Sequence, residues 1–255
     1  MRPVRLILRD DEETDMADTA HLLAALHFAA HKHRGQRRKG TGDAPYVNHV
    51  IGVAHTLATV GGITDMVTLV AAVLHDTLED TETTAAELED RFGTDVCHLV
   101  QEVSDDKSLP KQERKRLQVE HAPHLSDRAK CLKLADKTCN VRDVIQSQPV
   151  GWSLERRMDY LDWTEKSAVG CRGVNAALEE HYDRVLRRGR ETLETARSDD
   201  MVTTEEIEDM TIAITLGEDK PPESYDEEHR DTWKRLFIQI KEIKAKGGVV
   251  DIPFS

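Results

Sequence analysis

The sequence predicts an all-α protein, a helical bundle followed by a C-terminal extension. Three observations carry that reading. Apolar residues recur at helical spacing from about residue 18 to about residue 188. Helix-start signals stand ahead of several of these stripes. No convincing run alternates apolar and polar residues as a half-buried strand would, and no internal repeat is visible.

The elements follow in order. The chain opens Met1-Arg2-Pro3-Val4-Arg5-Leu6-Ile7-Leu8, basic and briefly apolar, and turns acidic at once with Arg9-Asp10-Asp11-Glu12-Glu13. The apolar run is too short for a signal peptide. Residues 1–17 therefore read as a disordered extension, with Met16 an alternative start to Met1. Leu22, Leu23, Leu26, Ala29 and Ala30 make a first stripe; Val47, Val50, Ile51, Ala54, Leu57 and Ala58 make a second. Thr64 is placed as the N-cap of a helix carrying Val67, Val70, Ala71 and Leu74. Thr84-Ala85-Ala86-Glu87 fits a capping box before Leu88. Val96, Leu99, Val100 and Val103 form a further stripe. Helices are expected over about 110–121, 126–145, 152–170 and 171–188. Turn residues concentrate at Gly40-Thr41-Gly42-Asp43-Ala44-Pro45 and Gln146-Ser147-Gln148-Pro149-Val150-Gly151. The domain so delimited runs from 18 to 190. After Arg190 the chain becomes acidic and polar, which reads as a linker. Trp233, Leu236, Phe237, Ile240 and Ile243 then share a helical stripe that either docks on the bundle or meets a partner; docking is the favoured expectation for the 191–255 segment.

Composition narrows the function. A net charge of −13 argues against nonspecific binding to polymeric nucleic acid or to anionic lipid, but leaves room for a small anion held by a local basic cluster. No apolar run approaches membrane-spanning length. Cys97, Cys131, Cys139 and Cys171 form no CxxC pair, so neither a structural zinc site nor a disulfide framework is indicated, and a cytoplasmic location is expected.

The densest chemistry lies in His75-Asp76-Thr77-Leu78-Glu79-Asp80. In a helix His75 and Glu79 are one turn apart, as are Asp76 and Asp80, so one face carries an imidazole and three carboxylates. Such a face is costly unless a cation or a proton offsets it. Two further candidate ligands stand on expected helices, His49 after Pro45-Tyr46-Val47-Asn48 and Asp136 within Leu134-Ala135-Asp136-Lys137. A two-His, two-Asp set without thiolates suits Mn²⁺, Mg²⁺ or Fe²⁺ better than structural zinc.

These residues carry a resemblance. Arg37-Arg38-Lys39, Pro45-Tyr46-x-x-His49, His75-Asp76-x-x-Glu79-Asp80, Asp105-Asp106-Lys107-x-Leu109-Pro110-Lys111 and Leu134-Ala135-Asp136-Lys137-x-x-Asn140 occur in that order, followed by Gly151-Trp152-Ser153 and Arg156-x-x-x-Tyr160. From about Asp18 to Arg188 the chain resembles the HD-domain small alarmone hydrolases, relatives of the hydrolase half of the RelA/SpoT enzymes, and the metazoan SpoT-like members above all. The resemblance implies an HD-domain bundle and Mn²⁺ held by His49, His75, Asp76 and Asp136. It implies Glu79 and Asp80 as catalytic carboxylates. Arg37, Arg38, Lys39, Lys111, Asn140, Arg156 and Tyr160 would line the nucleotide site. The implied reaction removes the 3′-pyrophosphate from ppGpp or pppGpp. Thr138-Cys139 departs from the bulkier residues expected there, and the tail from about 190 has no counterpart in minimal family members.

Two alternatives keep the fold. One is hydrolysis of another nucleotide, such as removal of the 2′-phosphate from NADPH; the other is a non-catalytic nucleotide-sensing module. The basic run from Lys111 to Arg116 reads as a solvated helix face, and the tryptophans near Tyr160 as core packing. His27 and His31, although four apart, are set aside as ligands. The sequence leaves open whether the chain forms a homo-oligomer.

Overall fold

Seven consecutive helical residues, Thr68–Leu74, are all buried and mark the centre of the bundle. A helix apolar on every side needs neighbours on every side, and this one has them. The computed structural model describes residues 10–40 and 42–200, together with Arg230 and Lys234. Within it the helices are α1 (Asp10–Lys32), α2 (Val47–Thr59), α3 (Met66–Leu74), α4 (Thr77–Asp80), α5 (Ala85–Phe92), α6 (Thr94–Val103), α7 (Lys111–His121), α8 (Asp127–Gln146), α9 (Leu154–Val169) and α10 (Ala176–Asp200). Helix α3 packs against α1, α2, α6 and α8, and α8 in turn carries α9. Among the described residues extended pairing is confined to two isolated bridges, Arg37 with Pro45 and Gly40 with Pro149. None of the described helices is long and apolar enough to cross a membrane.

Local chemistry sets the helix ends. The N-cap of α3 is Asp65, one residue after the expected Thr64; its carboxylate accepts from the Thr68 backbone N–H at 3.1 Å and the Thr68 hydroxyl at 2.5 Å. A carboxylate also complements the positive end of the helix better than a hydroxyl does. Thr84 caps α5 by accepting from Glu87 N–H at 3.2 Å, but Glu87 does not complete the box because its carboxylate pairs with Lys32 at 2.9 Å. Ser126 and Ser153 cap α8 and α9 in the same way. At the other end of α3 the Thr77 hydroxyl donates to the Leu74 carbonyl at 2.6 Å, satisfying a terminal acceptor. His75 and Asp76 thus form the joint between α3 and α4 rather than the middle of one helix.

Two boundaries differ from expectation. Helix α1 begins at Asp10, inside the segment read as a disordered extension; residues 1–9 lie outside the described residues. Helix α10 starts at Ala176 instead of 171, after a turn in which Gly173 takes φ of 92°, and runs past Arg190 to Asp200. The chain divides into compact units at Glu194/Thr195. The apolar stripe from Trp233 to Ile243 lies outside the described residues, Lys234 apart.

The first turn-rich segment folds onto the second. Val150 N–H donates to the Lys39 carbonyl at 2.9 Å. Gly40 lies so close to Ser147 that a Cβ there would stand 2.5 Å from the Ser147 carbonyl oxygen, so the approach requires glycine. This junction carries Arg37, Arg38 and Lys39 to the C-terminal end of α8.

Candidate active site

Three helices converge on one buried cluster. His49 comes from the first turn of α2, His75 from the end of α3 and Asp136 from the middle of α8, and each offers a donor atom within 4.8 Å of the others. His49 Nε2 lies 3.2 Å from Asp136 Oδ1 and 3.6 Å from Asp76 Oδ2. His75 Nε2 lies 3.2 Å from Asp76 Oδ2 and 3.8 Å from Asp136 Oδ1. All four expected ligands are therefore together.

The donors fit a metal ion. His75 Nδ1 sits 2.8 Å from the Ala72 carbonyl, which accepts only from an N–H; that fixes the tautomer and leaves Nε2 facing the cluster. His75 Nε2 is buried and makes no hydrogen bond of good geometry despite its near carboxylates. Burial pushes the His75 imidazole down, yet the negative charges of Asp76 and Asp136 close beside it outweigh that and carry it up to about 10. Burial opposes the ionised forms of Asp76 and Asp136 as well. His75 and His49 nonetheless hold Asp76 below the usual carboxylate range, and Lys137 with both imidazoles does the same for Asp136. Protonated His75 and Lys137 offset the two carboxylates, and a bound cation would take the place of the imidazole proton.

A second layer fixes the carboxylates. The Tyr46 hydroxyl lies 2.6 Å from Asp76 Oδ2 and 3.1 Å from Asp80 Oδ2, joining α2 to α4. Burial, then the charges of Asp76 and Asp80, push its phenol far above the ordinary value. His33, buried and bonded through Nδ1 to Gln36 at 2.8 Å, stacks on the Tyr46 ring at 4.8 Å. On α8, Asn140 Nδ2 donates to Asp136 Oδ1 at 2.6 Å while its carbonyl accepts from Arg38 at 2.7 Å. Lys137, on the face of Trp163, lies 3.4 Å from Asp136 Oδ2.

Glu79 and Asp80 stand beside the cluster on α4. Glu79 Oε1 accepts from the Asp105 N–H at 2.7 Å, and Glu79 Oε2 lies 3.2 Å from Lys107 Nζ. Asp80 Oδ1 accepts from the same ammonium at 2.8 Å. Burial, despite the Asp105 bond, raises the Glu79 carboxyl above its ordinary value.

The cluster adjoins a cavity of about 860 Å³, which His49, Tyr46, Asp80 and Asn140 reach. That volume is in the range of small-molecule sites. Lys and Arg outnumber Asp among its lining residues eight to three, inverting the charge of the whole chain. Of the expected nucleotide-site residues, Arg37, Arg38, Lys39, Lys111, Asn140 and Tyr160 line it. Arg38 is held between Asp143 and Asn140, whereas Arg37 is largely exposed near Asp43. Arg156 is not in the lining; it lies over Trp152 at 4.4 Å, one step back. Burial, then the like charges of Arg156, Lys39 and Arg114, pushes the Lys111 ammonium below its usual value, the mark of cations gathered without enough anions. Tyr160 packs between Trp152 and Trp163, 5.5 Å from each, and burial pushes its phenol up to about 12.

Two expectations are corrected here. Trp163 lines the cavity rather than filling core, whereas Trp152 both lines the cavity and packs against the core. The run from Lys111 to Arg116 is not one solvated face: Lys111, Arg114 and Lys115 face the cavity, while Arg116 points away to Glu113 and Glu120. Spacing 111, 114, 115 and 118 is a helical stripe that the sequence displays, and Gln118 completes it. Lys115 and Arg142 were not singled out in the sequence, and Lys107 was noted only within the Asp105–Lys111 motif. Cys139 lines the cavity floor beside Thr56 and Arg142, where a bulkier residue was expected.

Comparisons with known proteins show the family. A family model described as HD domain matches residues 25–158. The guanosine-3′,5′-bis(diphosphate) 3′-pyrophosphohydrolase MESH1 of Homo sapiens is 55% identical over 172 residues, covering 68% of this chain and 96% of that protein. The protein of the same name from Xenopus tropicalis is 53% identical over 170 residues, covering 67% and 95%. A solved structure described as a metazoan ortholog of SpoT that hydrolyzes ppGpp and plays a role in starvation responses has a TM-score of 0.65 and 51% identity, over 66% of this chain and 95% of that one. With more than half its length matched by the HD-domain model, and with relatives of this identity covered almost end to end, the chain belongs to the HD-domain family, in the group that the MESH1 proteins represent.

Proposed function

We propose that the protein is a Mn²⁺-dependent hydrolase of guanosine 3′,5′-bis(diphosphate), releasing pyrophosphate from the 3′ position of ppGpp or pppGpp and leaving GDP or GTP. One observation carries the reading: a buried nitrogen- and oxygen-donor cluster adjoins a cationic cavity in an otherwise acidic chain. The relatives named for this reaction support it.

His49, His75, Asp76 and Asp136 would hold the ion. When bound, Mn²⁺ lowers the pKa of water and neutralises phosphate oxygens. Glu79, raised by its burial, accepts a proton from the attacking water; Asp80 orients that water from the cavity side. The water oxygen bonds to phosphorus, the bond from phosphorus to the ribose 3′ oxygen breaks, and that oxygen takes up a proton from solvent as Glu79 gives its own proton back to solvent. Arg38, fixed by Asp143 and Asn140, and Lys39 and Lys111 hold phosphate groups, with Arg37 and Arg156 adding charge from the rim. Tyr160 and the flanking tryptophans supply an aromatic wall for base or ribose. The catalytic unit in this reading is residues 18–190. A cytoplasmic location fits the four cysteines, all free and buried.

The test is pyrophosphate release from ppGpp by the purified chain with Mn²⁺, repeated after chelation. Release that stops on chelation is expected. No release from a chain that binds Mn²⁺ would sink the alarmone reading and direct the assay to NADPH and other 2′- or 3′-phosphorylated nucleotides. No release and no bound metal would favour a nucleotide-sensing module.

A further inference from the structure

The loop between α6 and α7 delivers two groups to one carboxylate. Its backbone supplies the Asp105 N–H to Glu79 Oε1 at 2.7 Å, and its side chain Lys107 reaches Glu79 Oε2 at 3.2 Å. Both oxygens of Glu79 are thereby fixed from the same short segment. Lys107 continues to Asp80 Oδ1 at 2.8 Å, while Asp80 Oδ2 faces the Tyr46 hydroxyl. One ammonium thus spans the two carboxylates of α4 that stand nearest the metal cluster.

The loop is built to hold that position. The Asp106 carboxylate accepts from the Ser108 N–H at 2.9 Å, and the Leu109 N–H donates to the Asp106 carbonyl at 3.1 Å, which makes a closed turn around Lys107. Asp105 is tied to α7 through Gln118 at 2.6 Å. Lys107 is 42% exposed at its side chain and also lines the cavity, so its fixed partners, not burial, set where it points. Glu79 and Asp80 are adjacent in sequence and carry like charge; without a shared cation they would repel and turn apart. Desolvation works against the Lys107 charge, but the bond to Asp80 and the two carboxylate charges keep it above the ordinary lysine value.

We propose that Lys107 is a positioning residue, a cationic clamp that keeps Glu79 and Asp80 together and aimed at the reacting water, and so sets the rate of the chemical step rather than the affinity for nucleotide. The proposal rests on the hydrolase reading above. It makes the loop after α6 part of the catalytic apparatus through its side chain as well as its backbone.

Lys107→Met and Lys107→Arg are to be compared with the unaltered chain for kcat and KM on ppGpp with Mn²⁺, for Mn²⁺ affinity by calorimetry, and for melting temperature. Lys107→Met is expected to lower kcat on the order of 100-fold, with KM within about threefold and Mn²⁺ affinity and melting little changed. Lys107→Arg, which keeps a cation able to span two carboxylates, is expected to restore most of kcat. A rise in KM at unchanged kcat would overturn the clamp and make Lys107 a phosphate ligand. Unchanged kinetics in Lys107→Met would reduce the contacts to a surface ion pair. A crystal structure of Lys107→Met separates this proposal from the reading beneath it. Glu79 and Asp80 turned apart would uphold the clamp even if the unaltered chain left ppGpp intact; both carboxylates in place would end it.

Discussion

His75 serves the cluster with one nitrogen because its other nitrogen is committed to the Ala72 carbonyl. Removing that imidazole, or Asp136 across from it, takes away one of a few donors and leaves the remaining carboxylates uncompensated. His75→Ala and Asp136→Ala are each expected to lose Mn²⁺ and turnover together, read by metal content and by pyrophosphate release. Glu79 should behave differently. Glu79→Gln keeps the donor set and is expected to retain metal while turnover falls about 10²- to 10⁴-fold. Normal turnover in that variant would remove Glu79 from the mechanism. Burial raises the Glu79 carboxyl above 4.5, so a step that needs it ionised is fully active above that raised pKa and declines as pH falls through it. The acid limb of kcat should therefore lie above pH 4.5 and vanish in Glu79→Gln. That His49, His75, Asp76 and Asp136 would come together was legible in the sequence because metal chemistry restricts residue type and because His75-Asp76 leaves few alternatives. Lys107 stands in the Asp105–Lys111 motif, but its role was not legible: its partners are 27 and 28 residues away, and a lysine in an acidic loop has no periodicity to betray it.

Elements as units show where helical spacing informs and where it misleads. The His75–Asp80 segment was read as one helical face. It is two short pieces meeting at His75-Asp76, and the joint is what lets His75 enter the cluster while Glu79 reaches across to the next loop. Asp76 and Asp80 still share a face, since one tyrosine hydroxyl touches both. Helix α7 shows the converse. Its charges looked uniform in sequence, but its position against α9 divides them, and Lys115 lies 4.4 Å over Trp163 at the cavity wall. Lys115→Met is expected to raise KM for ppGpp about tenfold with kcat nearly unchanged, as for loss of a phosphate contact made equally in ground and transition states. An equal fall in kcat would place Lys115 nearer the reaction than its geometry suggests.

At the scale of the whole molecule, the sequence made the bundle plain because nearly every helix buries a stripe, but it could not place the last helix end. Helix α10 was expected to stop at about 188, where polar residues begin to dominate. Leu193, however, is 1% exposed, and one buried leucine holds the helix past its polar stretch. A chain cut after Asp200 is therefore expected to keep both fold and turnover. A chain cut after Arg190 loses Leu193 and is expected to be destabilised by about 2–5 kcal/mol, read from the denaturation midpoint. Equal stability of the two would mean that the C-terminal half of α10 contributes nothing to the fold.

Helix α8 reaches the site with Asp136, Asn140 and Asp143 on successive turns. Asp136 belongs to the donor cluster, Asp143 anchors Arg38, and Asn140 between them touches both Arg38 and Asp136. Seven residues at 1.5 Å each set these about 10 Å apart. The helix is in effect a ruler cut into the wall, fixing the distance between the donor cluster and the anchor of a guanidinium in the cavity lining. Inserting a single residue between the two marks would change the length little but rotate one mark about 100° out of view of the other.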